Sequence, residues 1–125
     1  MHELYRQQII ELYKHPHNFG ELNNPDVSVR DRNSTCGDVV QIQLKLKDGK
    51  IDQIAFSGDG CAISRATASL LTDYLQHKNI SEITKLTFAD IEHLLQIKLN
   101  PGRVNCALLP LATVQKARQA LTKQS

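Results

Sequence analysis

"VVQIQLKLKDGKIDQIAF", residues 39–56, decides how this chain folds. Val40, Ile42, Leu44 and Leu46 alternate strictly with Gln41, Gln43, Lys45 and Lys47. A period of two sends the two sets to opposite sides of a strand, so one face of the sheet is dry and the other wet. Asp48-Gly49 supplies a tight hairpin turn, and the chain returns as a further strand through Phe56. Upstream, Val27 and Val29 share one side of a shorter strand. The expectation is a three-stranded antiparallel meander whose dry face is covered by helices.

The flanking segments supply those helices. Leu4 to about His15 places Tyr5, Ile9, Leu12 and Tyr13 on one helical face, with Tyr5 read as core packing. This helix stops before "HPHNFGELNNP", residues 15–25, where Pro16 turns the chain out of helical geometry. From Cys61 to about Gln76 the period becomes helical again, with Ile63, Ala66, Thr67, Leu70, Leu71 and Tyr74 in one stripe. Thr87-Phe88-Ala89-Asp90 has the form of a capping box that opens a short helix with Ile91, Leu94 and Leu95 inward. "LNPGR", residues 99–103, is a break. A long last helix then runs to about Thr122, with Leu108, Leu111, Val114, Ala117 and Leu121 inward. Proline costs little only in a first turn, so Pro110 places the start of this helix near Ala107 and leaves Cys106 at its mouth. Residues 1–125 thus read as a single α+β two-layer domain, N-terminal helix first and long C-terminal helix last, without repeats or linkers.

Composition narrows the function classes. A formal net charge of +2 over 125 residues, with no basic run, gives no nucleic-acid footprint. No stretch reaches membrane-spanning length, and the start, "MHELYRQQIIELYKH", lacks the apolar core of a signal peptide, so a cytoplasmic location is expected. No nucleophile–base pair, phosphate-binding glycine loop or dinucleotide fingerprint points to an independent hydrolytic or redox enzyme.

The three cysteines, Cys36, Cys61 and Cys106, are an odd number and argue against a disulfide framework. Buried structural thiols and ligands are both compatible with the count. Their positions are distinctive: Cys36 lies in the turn "NSTCGD", residues 33–38, and Cys61 in "FSGDGCAISRA", residues 56–66, at a helix start. Cys106 lies in "RVNCALL", residues 103–109. All three fall at element ends, where exposed helix N–H groups favour a thiolate at Cys61 and at Cys106. Gly37, Gly58 and Gly60 clear bulk from the neighbouring backbone. Because the hairpin runs out and back, the Cys36 turn and the end of the third strand share one end of the sheet. Cys36 and Cys61 are therefore expected in one pocket, whereas topology does not place Cys106. Asp38, two residues after Cys36, either faces that pocket or bonds its own turn. Three thiolates and a carboxylate would suit zinc or an iron–sulfur cluster, although no C-x-x-C pair is present.

"NSTCGD", "GDGCAISRATASLLTDYL" and "RVNCALL", in this order, resemble the three cysteine motifs of the NifU-like iron–sulfur scaffold family, which includes IscU and SufU. "LYRQQIIELYKHPHNFGEL" is similar to that family's first helix and following loop, so the resemblance spans essentially the whole chain. It implies that Cys36, Cys61 and Cys106 are ligands and candidate sulfur acceptors, with Asp38 the acidic ligand. It also implies a scaffold, rather than an enzyme, that takes sulfur from a cysteine desulfurase of SufS or IscS type. With iron and electron donors such a scaffold builds a transient [2Fe–2S] cluster and passes it to apo iron–sulfur proteins. The carboxylate among thiolates would favour cluster release.

Two branches of the family compete. "GCAIS" and Arg103, three residues before Cys106, look like SufU, whose members hold Zn2+ in the same site and act as sulfur-transfer partners of a SufS-type desulfurase. Yet the insertion usual in SufU between the second and third motifs is missing, and the compact length is IscU-like. "LNPGRVN" stands where IscU has Leu-Pro-Pro-Val-Lys and a histidine, which leaves Asn105 in the histidine's place and puts docking to an Hsp70-type chaperone in doubt. Arg103 either orients Asp38 or a persulfide, or is a solvated helix-start residue. Ser64 and Thr67 are expected to cap their helix or fill its interface, and His2, His15, His17, His77 and His93 read as bystanders. A monomer or weak dimer is expected.

Overall fold

The computed structural model describes residues 3–34 and 37–124, with side chains over 6–34 and 37–121. Cys36 and the side chain of Tyr5 lie outside these. The elements run α1 Glu3–Lys14, β1 Val27–Arg32, β2 Val39–Lys47, β3 Lys50–Asp59, α2 Ala62–Leu75, α3 Glu82–Lys85, α4 Phe88–Leu95 and α5 Pro101–Gln124. The strands form one antiparallel sheet in the order β1-β2-β3. No helix among the described residues is long and apolar enough to cross a membrane.

Asp48 and Gly49 both have positive φ, 55° and 76°, the left-handed pair that a right-twisted two-residue hairpin requires. Past one irregularity at Lys45/Leu46, β2 and β3 pair in step as Leu44↔Ile54, Ile42↔Phe56 and Val39↔Asp59. Ile42 and Leu44 are fully buried beneath α2 and α5, which lie on the sheet, while α1 packs on α2. The opposite face is not uniformly wet. Gln43 is buried there because the segment before β1 crosses it: its side-chain oxygen accepts from the Leu22 N–H at 2.7 Å, and its amide donates to Ser28 Oγ at 3.3 Å.

The "HPHNFG" segment is bonded to the rest of the fold although His15, His17 and Phe19 stay exposed. Phe56 N–H donates to the Asn18 carbonyl and Gly20 N–H to the Phe56 carbonyl, both at 2.9 Å, so the segment covers part of the outer edge of β3. His17, expected to be a bystander, fastens this segment to α2: its ring Nδ1 lies 2.6 Å from Asp73 Oδ2 and its backbone N–H donates to Ser69 Oγ. The Arg65 guanidinium lies between the rings of Tyr13 and Phe19, 5.1 and 4.9 Å from their centroids, and so ties α1 and the loop to α2.

Two helical expectations are corrected. The buried set of α2 includes Ser64, Ala68, Ser69, Thr72 and Leu75, whereas Tyr74 is exposed and Leu70 only half-buried. This helix is packed from several sides, by α1, α4, α5 and β3, so its apolar stripe understates its buried surface. The last helix begins at Pro101, with proline at its first position, and runs through Pro110. Pro110 is therefore interior, and its missing N–H withholds the helical bond from the carbonyl of Cys106. The capping box at Thr87 and Asp90 forms as read.

Gly58 sits opposite Val40 near the end of the sheet where Val39 pairs with Asp59, with φ +125°. A Cβ there would lie 2.2 Å from the Val39 carbonyl oxygen. Gly58→Ala is expected to lower stability in urea unfolding by about 2–4 kcal/mol. Gly102→Ala, whose Cβ would meet only Asn100 Oδ1 at 3.4 Å in the first turn of α5, is expected to change it by less than about 1 kcal/mol, toward greater stability.

Candidate metal centre

The residue before β2 is Asp38, and it is fixed by a closed turn. Gly37 N–H donates to the Asn33 carbonyl at 2.7 Å, and Asn33 N–H donates to the Asp38 carbonyl at 2.9 Å. Val39 pairs with Asp59 across the hairpin, so Asp38 comes opposite Gly60 at the same end of the sheet. A Cβ on Gly60 would sit 3.4 Å from Asp38 Cγ, and the missing side chain lets the carboxyl approach the β3–α2 junction. Cys61 follows at once as the N-cap of α2, in extended geometry with φ −71° and ψ 173°. Its thiol is free, half-buried and not used to cap the helix.

Cys106 is the ligand candidate that topology left unplaced. It lies in the second turn of α5 rather than at the helix mouth, and so beyond the exposed N–H groups of the first turn. It is 4 % exposed, and Asp38 is 6 % exposed. The sulfurs of Cys61 and Cys106 and a carboxylate oxygen of Asp38 all lie within 4.8 Å of one another. Tetrahedral ligation with Zn–S bonds of 2.3 Å separates ligand atoms by about 3.8 Å, so the three donors are already near one ion's coordination sphere. Asp38 Oδ2 is buried and has no hydrogen-bond partner. A buried carboxylate with an unpaired oxygen is costly, and a cation on one of its oxygens, with a donor to the other, would satisfy the group. Donor set and burial therefore fit a metal ion or an iron–sulfur cluster.

Three elements converge here, and a surface contact buttresses one of them. Lys116 Nζ on α5 meets Asp31 Oδ2 on β1 at 2.7 Å, beside the turn that presents Asp38. The Lys116 hydrogen bond, opposed by partial burial and aided by the Arg32 N–H, holds the Asp31 carboxyl below its ordinary range. Arg103 is exposed, forms no ion pair among the described residues, and opens onto a groove shared with Arg6, Ile10, Ile63, Ile97 and Leu99. No histidine of the described residues joins the cluster. Cys36, two residues before Asp38 in the sequence, lies outside the described residues.

The sequence matches the family described as the NifU-like N terminal domain over residues 4–125. It is 32% identical to the zinc-dependent sulfurtransferase SufU of Bacillus subtilis, covering 90% of this chain and 88% of that protein. It is 33% identical to the iron–sulfur cluster assembly enzyme IscU of Drosophila melanogaster, covering 91% and 75%. A crystal structure of a candidate iron–sulfur cluster assembly scaffold for the SUF system from Fervidobacterium islandicum superimposes with a TM-score of 0.77 at 25% identity, covering 90% of this chain and 94% of that one.

The Lys116–Asp31 buttress has a pH signature. Because the Asp31 pKa is depressed in the folded state, its contribution is complete above the unfolded value near 3.8 and is lost as pH falls through the folded one. Lys116→Met is expected to lower the urea midpoint at pH 7, with the difference from the parent chain shrinking as pH falls below 3.8 and the folded-state carboxyl takes up its proton.

Proposed function

As the chain belongs to the family of NifU-like N-terminal domains, we propose that it is an iron–sulfur cluster assembly scaffold. Its cargo is a transient [2Fe–2S] cluster, held by Cys36, Cys61 and Cys106 with Asp38. Sulfur comes from a cysteine desulfurase, iron and electrons from separate donors, and the finished cluster passes to apo-proteins. The observation that carries this reading is the convergence of one carboxylate and two thiols within 4.8 Å. Asp38 supplies a hard ligand among soft ones, which weakens the hold on a cluster and favours its release. Cys61 is the more accessible of the two described thiols, and Cys106 lies beneath it in the helix layer.

A second reading, zinc-dependent sulfur transfer, is favoured by the same 4.8 Å span, which suits a single ion, and by the similarity to the Bacillus protein of that name. When bound, zinc would supply Lewis-acid stabilisation of the thiolates. The transfer itself is an exchange at sulfur. A cysteine thiolate of this chain attacks the terminal sulfur of the donor persulfide, a new S–S bond forms as the old one breaks, and the donor thiolate leaves.

Native mass spectrometry separates the two after anaerobic incubation with a cysteine desulfurase, cysteine, ferrous iron and a reductant. A bound mass of two irons and two sulfides is expected, and Cys61→Ser or Cys106→Ser should each reduce acid-labile sulfide to background. Retained zinc with only added sulfur atoms would replace the scaffold with the carrier. Asp38→Ala should lengthen cluster retention several-fold; a large loss of melting temperature instead would indicate a structural metal site.

A further inference from the structure

The residues around the start of α2 contain an unusual concentration of unsatisfied polarity. Ser64 Oγ, Thr67 Oγ1, Arg65 Nε and Asp38 Oδ2 are all buried without a hydrogen-bond partner. Buried polar atoms are nearly always bonded, so a cluster of exceptions asks for partners that the described residues do not supply as they stand. Two of these groups flank one point. A Cβ on Gly60 would lie 3.0 Å from Ser64 Oγ and 3.4 Å from Asp38 Cγ, so the space between hydroxyl and carboxyl is kept open by that glycine. Ser64 is 1 % exposed and stands in the first turn of the helix that Cys61 caps.

We infer that Ser64 positions Asp38 for metal, its hydroxyl donating a hydrogen bond to the carboxylate oxygen that is not on the ion. The inference rests on the metal-handling reading above. A carboxylate that binds through one oxygen leaves the other as an obligatory acceptor, and in a buried site that oxygen needs a donor. Ser64 is a donor with no other engagement, whereas the Arg65 guanidinium is stacked between Tyr13 and Phe19. Held in this way, the carboxylate keeps one oxygen toward the two sulfurs. Without the hydroxyl it is free to swing away, and the ion loses its hard ligand while both thiols remain.

Cobalt(II) alone is a suitable probe, because thiolate charge-transfer bands report the sulfurs and ligand-field bands report the fourth donor. Ser64→Ala is expected to weaken cobalt binding about tenfold and to alter the ligand-field bands, with the charge-transfer bands retained. In an Asp38→Ala background the same substitution should change neither. Gly60→Ala, which places a methyl between the two groups, should reproduce the loss only when Asp38 is present. A Ser64→Ala effect of equal size in both backgrounds, or none in either, overturns the positioning role. Failure of the unsubstituted protein to develop thiolate–cobalt bands overturns the metal reading as well.

Discussion

The register between β2 and β3 is the constraint from which the functional end of the molecule follows. The left-handed pair at Asp48 and Gly49 starts the hairpin, and past its one irregularity the strands stay in step to Val39 and Asp59. A slip of one residue would reverse which side chains face the helices and would move Asp38 away from Gly60. Gly58 leaves no room for such an error, since any side chain there meets the Val39 carbonyl. The carboxylate and the first thiol are thus placed by backbone pairing.

The second thiol is placed by different physics. Cys106 reaches the cluster because α5 lies on β1 and β2, with Ala107, Val114 and Ala117 fully buried along its inner side. Small residues at two of these positions let the helix approach the sheet closely. Lys116 and Asp31 pin the same pair of elements at the surface. Hydrogen-bond register and helix packing are independent determinants, and the donors converge only where both hold.

Much of this was legible in the sequence. Strict alternation through Val40–Leu46, the Asp48-Gly49 turn and the Thr87–Asp90 capping box are local signals, and local signals survive in the structure. That the turn before β2 and the end of β3 share one end of the sheet followed from meander topology, whereas the direction of Asp38 did not. What was not legible depends on contacts distant in sequence. Gln43 is polar by type and buried because a loop covers it; His17 is a loop residue by pattern and a fastener because Asp73 is beside it. The start of α5 was misplaced because the rule that keeps proline in a first turn is a local preference, and packing of a long helix outweighs the one bond that Pro110 removes. The open hydroxyl of Ser64 has no sequence signature, since a serine in a first helical turn is ordinary.

The position of each donor along its own element also sets the energetic cost of disturbing the cluster. Asp38 precedes a strand and Cys61 precedes a helix, so each can be displaced by fraying a few terminal backbone bonds, fluctuations that lie at the low end of a protein's local-opening spectrum. Cys106 lies inside α5, in a layer whose neighbours Ala107 and Val114 are wholly buried, and its displacement requires a much larger cooperative unit to open. The three side chains therefore differ in the backbone that carries them: Asp38 and Cys61 stand at element ends, Cys106 inside a helix. Loosening either element end would leave the hydrophobic layer around Cys106 intact.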